Sequence, residues 1–231
     1  RRASGSTPAP LATPLRRQRS TGRTEQYLQS EAEDVEMGVL AWATEQGLFL
    51  KERVVMSPML RDGVKSNGTE CITNRSTAGC FEDTDDCGYL VAGSLSALQG
   101  GGIDVVVGSN SWRSGKAVYG SVGVYTAPLI GGQAAVLGGA AMNSAEYDGS
   151  ANRFHPSKSA QPIYAVVTRY GGDGSACGAT EKWCLNATAT DKAHKLTYVS
   201  RAYLNPKTQT GPDADELLAP VVLRLRPFLY V

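Results

Sequence analysis

After Gly47 the chain turns to Val, Tyr, Thr and Gly, and this long succession of strand-like segments restricts the fold more than any other feature. Seven segments read as strands: Phe49 to Met56, Ile103 to Gly108, Ala117 to Thr126, Gln133 to Leu137, Pro162 to Tyr170, Lys195 to Leu204 and Ala219 to Val231. In the last, Val221, Leu223 and Leu225 alternate with Val222, Arg224 and Arg226, a period of two that predicts one buried and one solvated face. A strong helical pattern precedes them. Leu28, Ala32, Val35, Val39 and Trp42 recur at spacings of four and three and lay one apolar stripe along a helix over 25–46. Glu25, Glu31, Glu33, Asp34 and Glu36 fall in its first half, near the positive end of the dipole. Thr24 or Ser30 supplies the N-cap, Ser30 with Glu33 having capping-box spacing, and Gly47 stands at the left-handed C-terminal cap. Tyr89 to Gln99, closed by Gly100, Gly101 and Gly102, is a second helical candidate. Helices ahead of a run of strands predict an α+β fold: a mainly antiparallel sheet or β-sandwich-like body whose N-terminal amphipathic helix covers a sheet.

The domain plan follows from a shift in composition near Thr24. Residues 1–24 carry Arg1, Arg2, Arg16, Arg17, Arg19 and Arg23, four Pro or Gly before Leu15, and no carboxylate until Glu25. Such a stretch buries too little apolar surface to offset the entropy of ordering it, so it reads as an extended basic arm ahead of one globular β-rich domain over 25–231. Its Arg content fits a nucleic-acid-binding tail, the remnant of an organelle transit peptide, a processing site at Arg16, Arg17, Gln18 and Arg19, or a terminal extension without a partner. Across all 231 residues, 23 Lys and Arg stand against 22 Asp and Glu, so attraction to nucleic acid or an anionic membrane must come from this arm and not from net charge. No window approaches the roughly 18 consecutive apolar residues of a membrane-spanning helix, and no membrane span is expected. The sequence opens at Arg1 without Met or an apolar leader, which predicts a processed or truncated product.

The five cysteines fall as Cys71, Cys80 and Cys87, then Cys177 and Cys184. None forms C-x-x-C, and His155 and His194 are not at ligand spacing from them, so the usual signature of a zinc site is missing. Cys80 with Cys87 and Cys177 with Cys184 each enclose six polar, turn-rich residues. Disulfides closing these loops would each contribute about 2 kcal/mol and leave Cys71 free or intermolecular. Three of the seven Asn head glycosylation sequons, at Asn67, Asn74 and Asn186, where about one is expected by chance. Each lies within six residues of a cysteine. Both signals fit an oxidising, glycosylating route better than the cytosol.

The chemistry-bearing motifs fail one by one. Between Gly108 and Lys116 the spacing is too long for a phosphate-binding loop, Ala117 stands where its hydroxyl residue belongs, and the segment reads as a β-hairpin loop. Neither Tyr119-Gly120-Ser121-Val122-Gly123 nor Asp173-Gly174-Ser175-Ala176-Cys177 has both of the glycines that the tight turn of a nucleophile elbow needs. His155 and His194 read as surface histidines. Glu82, Asp83, Asp85 and Asp86 gather hard oxygen ligands suited to Ca²⁺ without EF-hand spacing, and otherwise form a solvated acidic loop. Trp112 and Trp183 sit in loops, where an aromatic side chain anchors a sugar or protein partner or simply packs.

The expected function is a secreted or cell-surface, disulfide-containing glycoprotein domain with a structural, assembly or binding role and no evident catalytic site. No cofactor is expected beyond N-glycans or a Ca²⁺ ion, and the partners are another protein, a second copy or a carbohydrate. One alternative is a subunit of a shell or filament, coat-like or pilin-like, whose arm contacts nucleic acid or a neighbouring subunit. The helix leading into a β-region with late cysteines, Cys177 and Cys184, resembles a pilin headgroup, although the Pro-rich arm is not the long apolar helix such subunits use. A second alternative is a secreted hydrolase with dispersed carboxylates.

Overall fold

The computed structural model describes residues 23–58, 60–61, 64–65, 87–96, 101–127, 129–130, 133–134, 138–155, 160–170, 176–187, 195–203, 205, 207, 211–212 and 214–228. The expected helix forms as a 3-10 turn, Glu25–Leu28, running into α1, Gln29–Glu45. Gly47 follows with φ +70°, the left-handed cap its position predicted. The expected N-cap does not form. Thr24 and Leu28 stand at the two N-caps without side-chain caps, and Ser30 lies inside α1. Tertiary contacts set the entry instead, because Glu25 is drawn wholly inside the protein.

The strands, in chain order, are β1 (Leu48–Val55), β2 (Ser57–Pro58), β3 (Leu60–Arg61), β4 (Val64–Lys65), β5 (Cys87–Ser96), β6 (Ile103–Ser109), β7 (Tyr119–Ala127), β8 (Leu129–Ile130), β9 (Gln133–Ala134), β10 (Gly138–Asn143), β11 (Ile163–Tyr170), β12 (Cys184–Ala187), β13 (Lys195–Tyr203) and β14 (Val221–Pro227). Two five-stranded sheets contain most of them. Sheet A runs β1-β14-β6-β11-β12 and sheet B runs β10-β7-β13-β5-β2, while β3-β4 and β8-β9 are small ribbons. All their pairings are antiparallel except β11 with β12. The body is therefore an α+β, β-sandwich-like assembly with one N-terminal α-helix. No helix among the described residues is long and apolar enough to cross a membrane.

Alternation along the strands of sheet A builds two cores. Val106, Tyr164, Val166 and Val222 face sheet B, meeting Leu90, Ala92, Val122, Val124, Leu196 and Tyr198. Their neighbours Ile103, Val105, Val107, Ile163, Ala165, Val167, Leu223 and Leu225 face the opposite way and receive Leu28, Ala32, Val35 and Val39 of α1. The helix stripe thus covers a sheet, and each fully buried Val, Leu or Ile stabilises by about 1.5–3 kcal/mol. Gly38 brings α1 close to the turn at Phe154: a β-carbon there would stand 2.1 Å from the Phe154 carbonyl oxygen. One helical turn on, Trp42 meets the Phe154 ring edge-on at 5.4 Å. Glu36, expected to answer the helix dipole, instead accepts a bidentate pair from Arg53 of β1 at 2.8 and 3.0 Å.

Two sequence expectations fail here for identifiable reasons. Tyr89 to Gln99 is not helical, since Cys87–Ser96 is strand β5, paired with β13. A register shift opposite Leu196/Tyr198 makes the inward residues Leu90, Ala92 and Leu95, and the three-residue step from Ala92 to Leu95 imitates a helical spacing. The last strand has no solvated face through Leu225, because β14 lies inside sheet A with α1 on one side and sheet B on the other. Arg224 is consequently 3% exposed and ion-paired with Asp104, which is fully buried. Tyr170 and Tyr198 also donate to that carboxylate, and Arg224 continues to Glu52 at 3.1 Å and to the Ser96 carbonyl. Burial pushes the Asp104 carboxyl above its ordinary range, against the pull of Arg224 and the tyrosine hydroxyls.

Candidate functional site

Of the expected disulfides, Cys177–Cys184 is present, with its Cα atoms 5.8 Å apart. Cys87 is buried at the start of β5, and its proposed partner Cys80, together with Cys71, lies outside the described residues. So do Asn67, Asn74, the acidic run Glu82, Asp83, Asp85 and Asp86, His194, and the arm except for Arg23, which is exposed, and Thr24. Asn186 is exposed on β12, the edge strand of sheet A. Its Oδ1 accepts the Cys177 N–H at 2.7 Å. His155 is half-buried, and its Nδ1 is enclosed without a hydrogen-bond partner. No group of three or more His, Cys, Asp or Glu among the described residues is placed to hold a metal ion.

The segment compared with a phosphate-binding loop is an arch and not a hairpin, because it joins β6 of sheet A to β7 of sheet B. It encloses a buried carboxyl group. The Glu25 carboxylate accepts hydrogen bonds from the Ser109 and Ser114 hydroxyls and, at 3.1 Å, from the Leu218 backbone N–H. Burial pushes this carboxyl above its ordinary 4.5, outweighing those hydrogen bonds and the charge of Lys116. The cluster ties helix entry, arch and the lead-in to β14 together, a structural task.

Among the described residues, one groove with an accessible face lies where the edge strands of the two sheets approach each other. Ala141 and Met142 of β10, with Glu146 from the turn beyond, form one wall of the groove; Glu181, Lys182, Trp183, Cys184 and Leu185 form the other. It is open to solvent and encloses about 620 Å³. Each wall is fixed by its own contacts. Glu146 accepts the Asn143 N–H at 2.7 Å, while Asn143 Oδ1 takes the N–H groups of Ala145 and Glu146, a reciprocal turn. Opposite, Arg169 grips Glu181 with both Nε and a terminal nitrogen, and the Glu181 N–H closes a turn onto the Gly178 carbonyl at 2.9 Å. The disulfide then ties both ends of that loop.

Trp183 is the unusual residue. Among the described residues it alone, apart from glycines, has positive φ, at +57°. A bulky side chain avoids this conformation, which costs about 1–2 kcal/mol. It is retained because the Trp183 carbonyl accepts the Val167 N–H at 3.0 Å, which starts the parallel β11–β12 pairing, while Cys184 is already fixed to Cys177. Sequence placed Trp183 in a loop; it did not reveal that Met142 and Glu146, some forty positions earlier, face it. Strain of this kind accumulates where a side chain must be presented in one orientation. The other loop tryptophan, Trp112, is exposed beneath the Arg113 guanidinium, which sits 4.8 Å from its ring centre and pairs with Asp148.

Compared with known proteins, the chain matches no family, no curated protein and no solved structure.

Proposed function

We propose that this chain is a secreted or cell-surface, disulfide-bonded glycoprotein domain whose role is binding, with the Trp183 groove as the contact face. The Cys177–Cys184 disulfide carries the reading: it persists in an oxidising compartment, and it closes the loop that presents the groove residues. Asn186 supports it, since the sequon residue is exposed and its Oδ1 is already engaged by Cys177, so that Nδ2, the atom to which a glycan is joined, belongs to a side chain held in place. Trp183 supports the binding role, being an aromatic anchor preorganised at the cost of backbone strain.

The test is intact mass after expression through a secretory route, before and after reduction and glycosidase treatment, with peptide mapping. A Cys177–Cys184 cross-link and a glycosidase-sensitive mass on the peptide containing Asn186 are expected. Free thiols at both cysteines with an unmodified Asn186 would overturn the extracellular reading.

A further inference from the structure

We infer that the groove between β10 and the Cys177–Cys184 loop is a saccharide-binding site, with Trp183 as the platform and Glu146, Glu181 and Lys182 as the polar rim. This inference deepens the binding role proposed above and rests on it.

The groove combines one large aromatic side chain with carboxylates on both walls and one ammonium group. A pyranose ring has the matching pattern, with an apolar face of C–H groups bearing partial positive charge and an equatorial rim of hydroxyls. The C–H face suits the negative face of an indole, and the hydroxyls donate to carboxylates and accept from the ammonium. Charge balance points the same way. Arg169 pairs with Glu181, and with Glu146 and Lys182 also lining the groove the formal charges cancel, so the site does not call for a charged ligand. Carboxylates without neighbouring cations would select a cation, and a wholly apolar groove would select a hydrophobic segment; neither describes these walls.

The two carboxylates are also held before any ligand arrives. Arg169 and the Gly178 N–H fix Glu181, the Asn143 N–H fixes Glu146, and the Val167 N–H with the adjoining disulfide fixes the main chain from which the indole of Trp183 projects. Weakly binding polyhydroxylated ligands depend on such preorganisation, because ordering side chains would otherwise consume their small binding free energy. The open form of the groove suits an oligosaccharide lying across it better than a monosaccharide enclosed by it.

The experiment uses ¹⁵N-labelled full-length protein with the disulfide intact, titrated with hexamers of β-1,4-glucose, α-1,4-glucose, β-1,4-mannose, β-1,4-galactose and β-1,4-N-acetylglucosamine. The three tryptophan indole N–H signals are followed, Trp42 and Trp112 serving as internal controls of fold. At least one hexamer is expected to move the Trp183 signal saturably with Kd of about 1 mM or tighter. Trp183→Ala should weaken that binding by about tenfold or more, whereas Trp183→Phe, which keeps an aromatic face, should lose less. Glu146→Gln should weaken it with the Trp42 and Trp112 signals unmoved. Absence of saturable binding across the panel, or binding undiminished in Trp183→Ala, would overturn the inference. Because the mass experiment reads disulfide and glycan independently, a failed titration beside a positive mass result rejects the ligand class and leaves the extracellular reading standing.

Discussion

Replacing Trp183 by alanine and, separately, by glycine isolates the strain in its backbone. Both substitutions remove the same indole, its packing and its contacts, so their difference in stability reports the main chain alone. At an ordinary strand or loop position Gly is less stable than Ala by about 0.5–1 kcal/mol, because it loses more freedom on folding. At φ +57° the order reverses. Alanine pays about 1–2 kcal/mol for the left-handed conformation and glycine pays almost nothing, which leaves Trp183→Gly more stable than Trp183→Ala by roughly 1 kcal/mol. With a urea slope of about 2–3 kcal/mol/M, the midpoints should differ by about 0.3–0.5 M. The assay is equilibrium urea unfolding with the Cys177–Cys184 disulfide intact. The same pair of substitutions at Lys182, whose φ is not positive, provides the control and should show the usual order. If Trp183→Ala is as stable as Trp183→Gly or more so, the residue is not strained and loses its distinction from other loop aromatics.

Other regions give equally direct tests. Gly38→Ala places a β-carbon against the Phe154 carbonyl and should destabilise by about 1–3 kcal/mol despite the better helix propensity of alanine; a stabilised variant in thermal unfolding would show that α1 does not approach this turn. Arg224→Ala leaves the Asp104 carboxylate buried without its cation and should cost about 3–5 kcal/mol in urea unfolding, much of it restored by adding Asp104→Asn; a loss below about 1 kcal/mol would contradict the buried pairing. For Glu25 the sign is set by its raised pKa: the folded protein keeps the proton to higher pH than the unfolded chain, so its contribution is fully present below 4.5 and declines as pH rises through the folded value. The stability of the native protein relative to Glu25→Gln should therefore fall as pH rises above 4.5, and a difference that stays constant across that range would refute it.

Much of the architecture was legible in the order of patterns. The helix stripe from Leu28 to Trp42 and the strand-like runs that follow it define an α+β body, and most appear where expected, but the run from Gln133 to Leu137 is met only by the short ribbon strand Gln133–Ala134, and the edge strands β10 and β12 carried no clear strand pattern. The errors arose where tertiary structure alters a local period. A register shift in β5 produced a helix-like spacing, and burial of both faces of β14 brought Arg224 inside. A signal for that burial was present, since Asp104 interrupts the apolar run Ile103–Val107 as Arg224 interrupts Val221–Leu225, with opposite charge. The disulfide at Cys177 and Cys184 was readable from spacing. The groove was not, because its two walls come from separate sheets and no short-range pattern links Glu146 to Trp183.

Sheet A has a consequence for how the protein comes to be folded. Its strand β14 separates β1 from β6, and Leu218, just ahead of that strand, bonds to Glu25 across 193 positions. During translation at about 5–20 residues per second, the apolar side of α1 therefore waits on the order of ten to forty seconds for the strand that completes its platform. Throughout that interval a nascent chain displays Leu28, Ala32, Val35 and Val39 with only part of their eventual cover. The apolar face of the N-terminal helix is thus open to aggregation or chaperone capture during that interval, and late pairing by β14, with its long sequence separation, slows assembly of the native state.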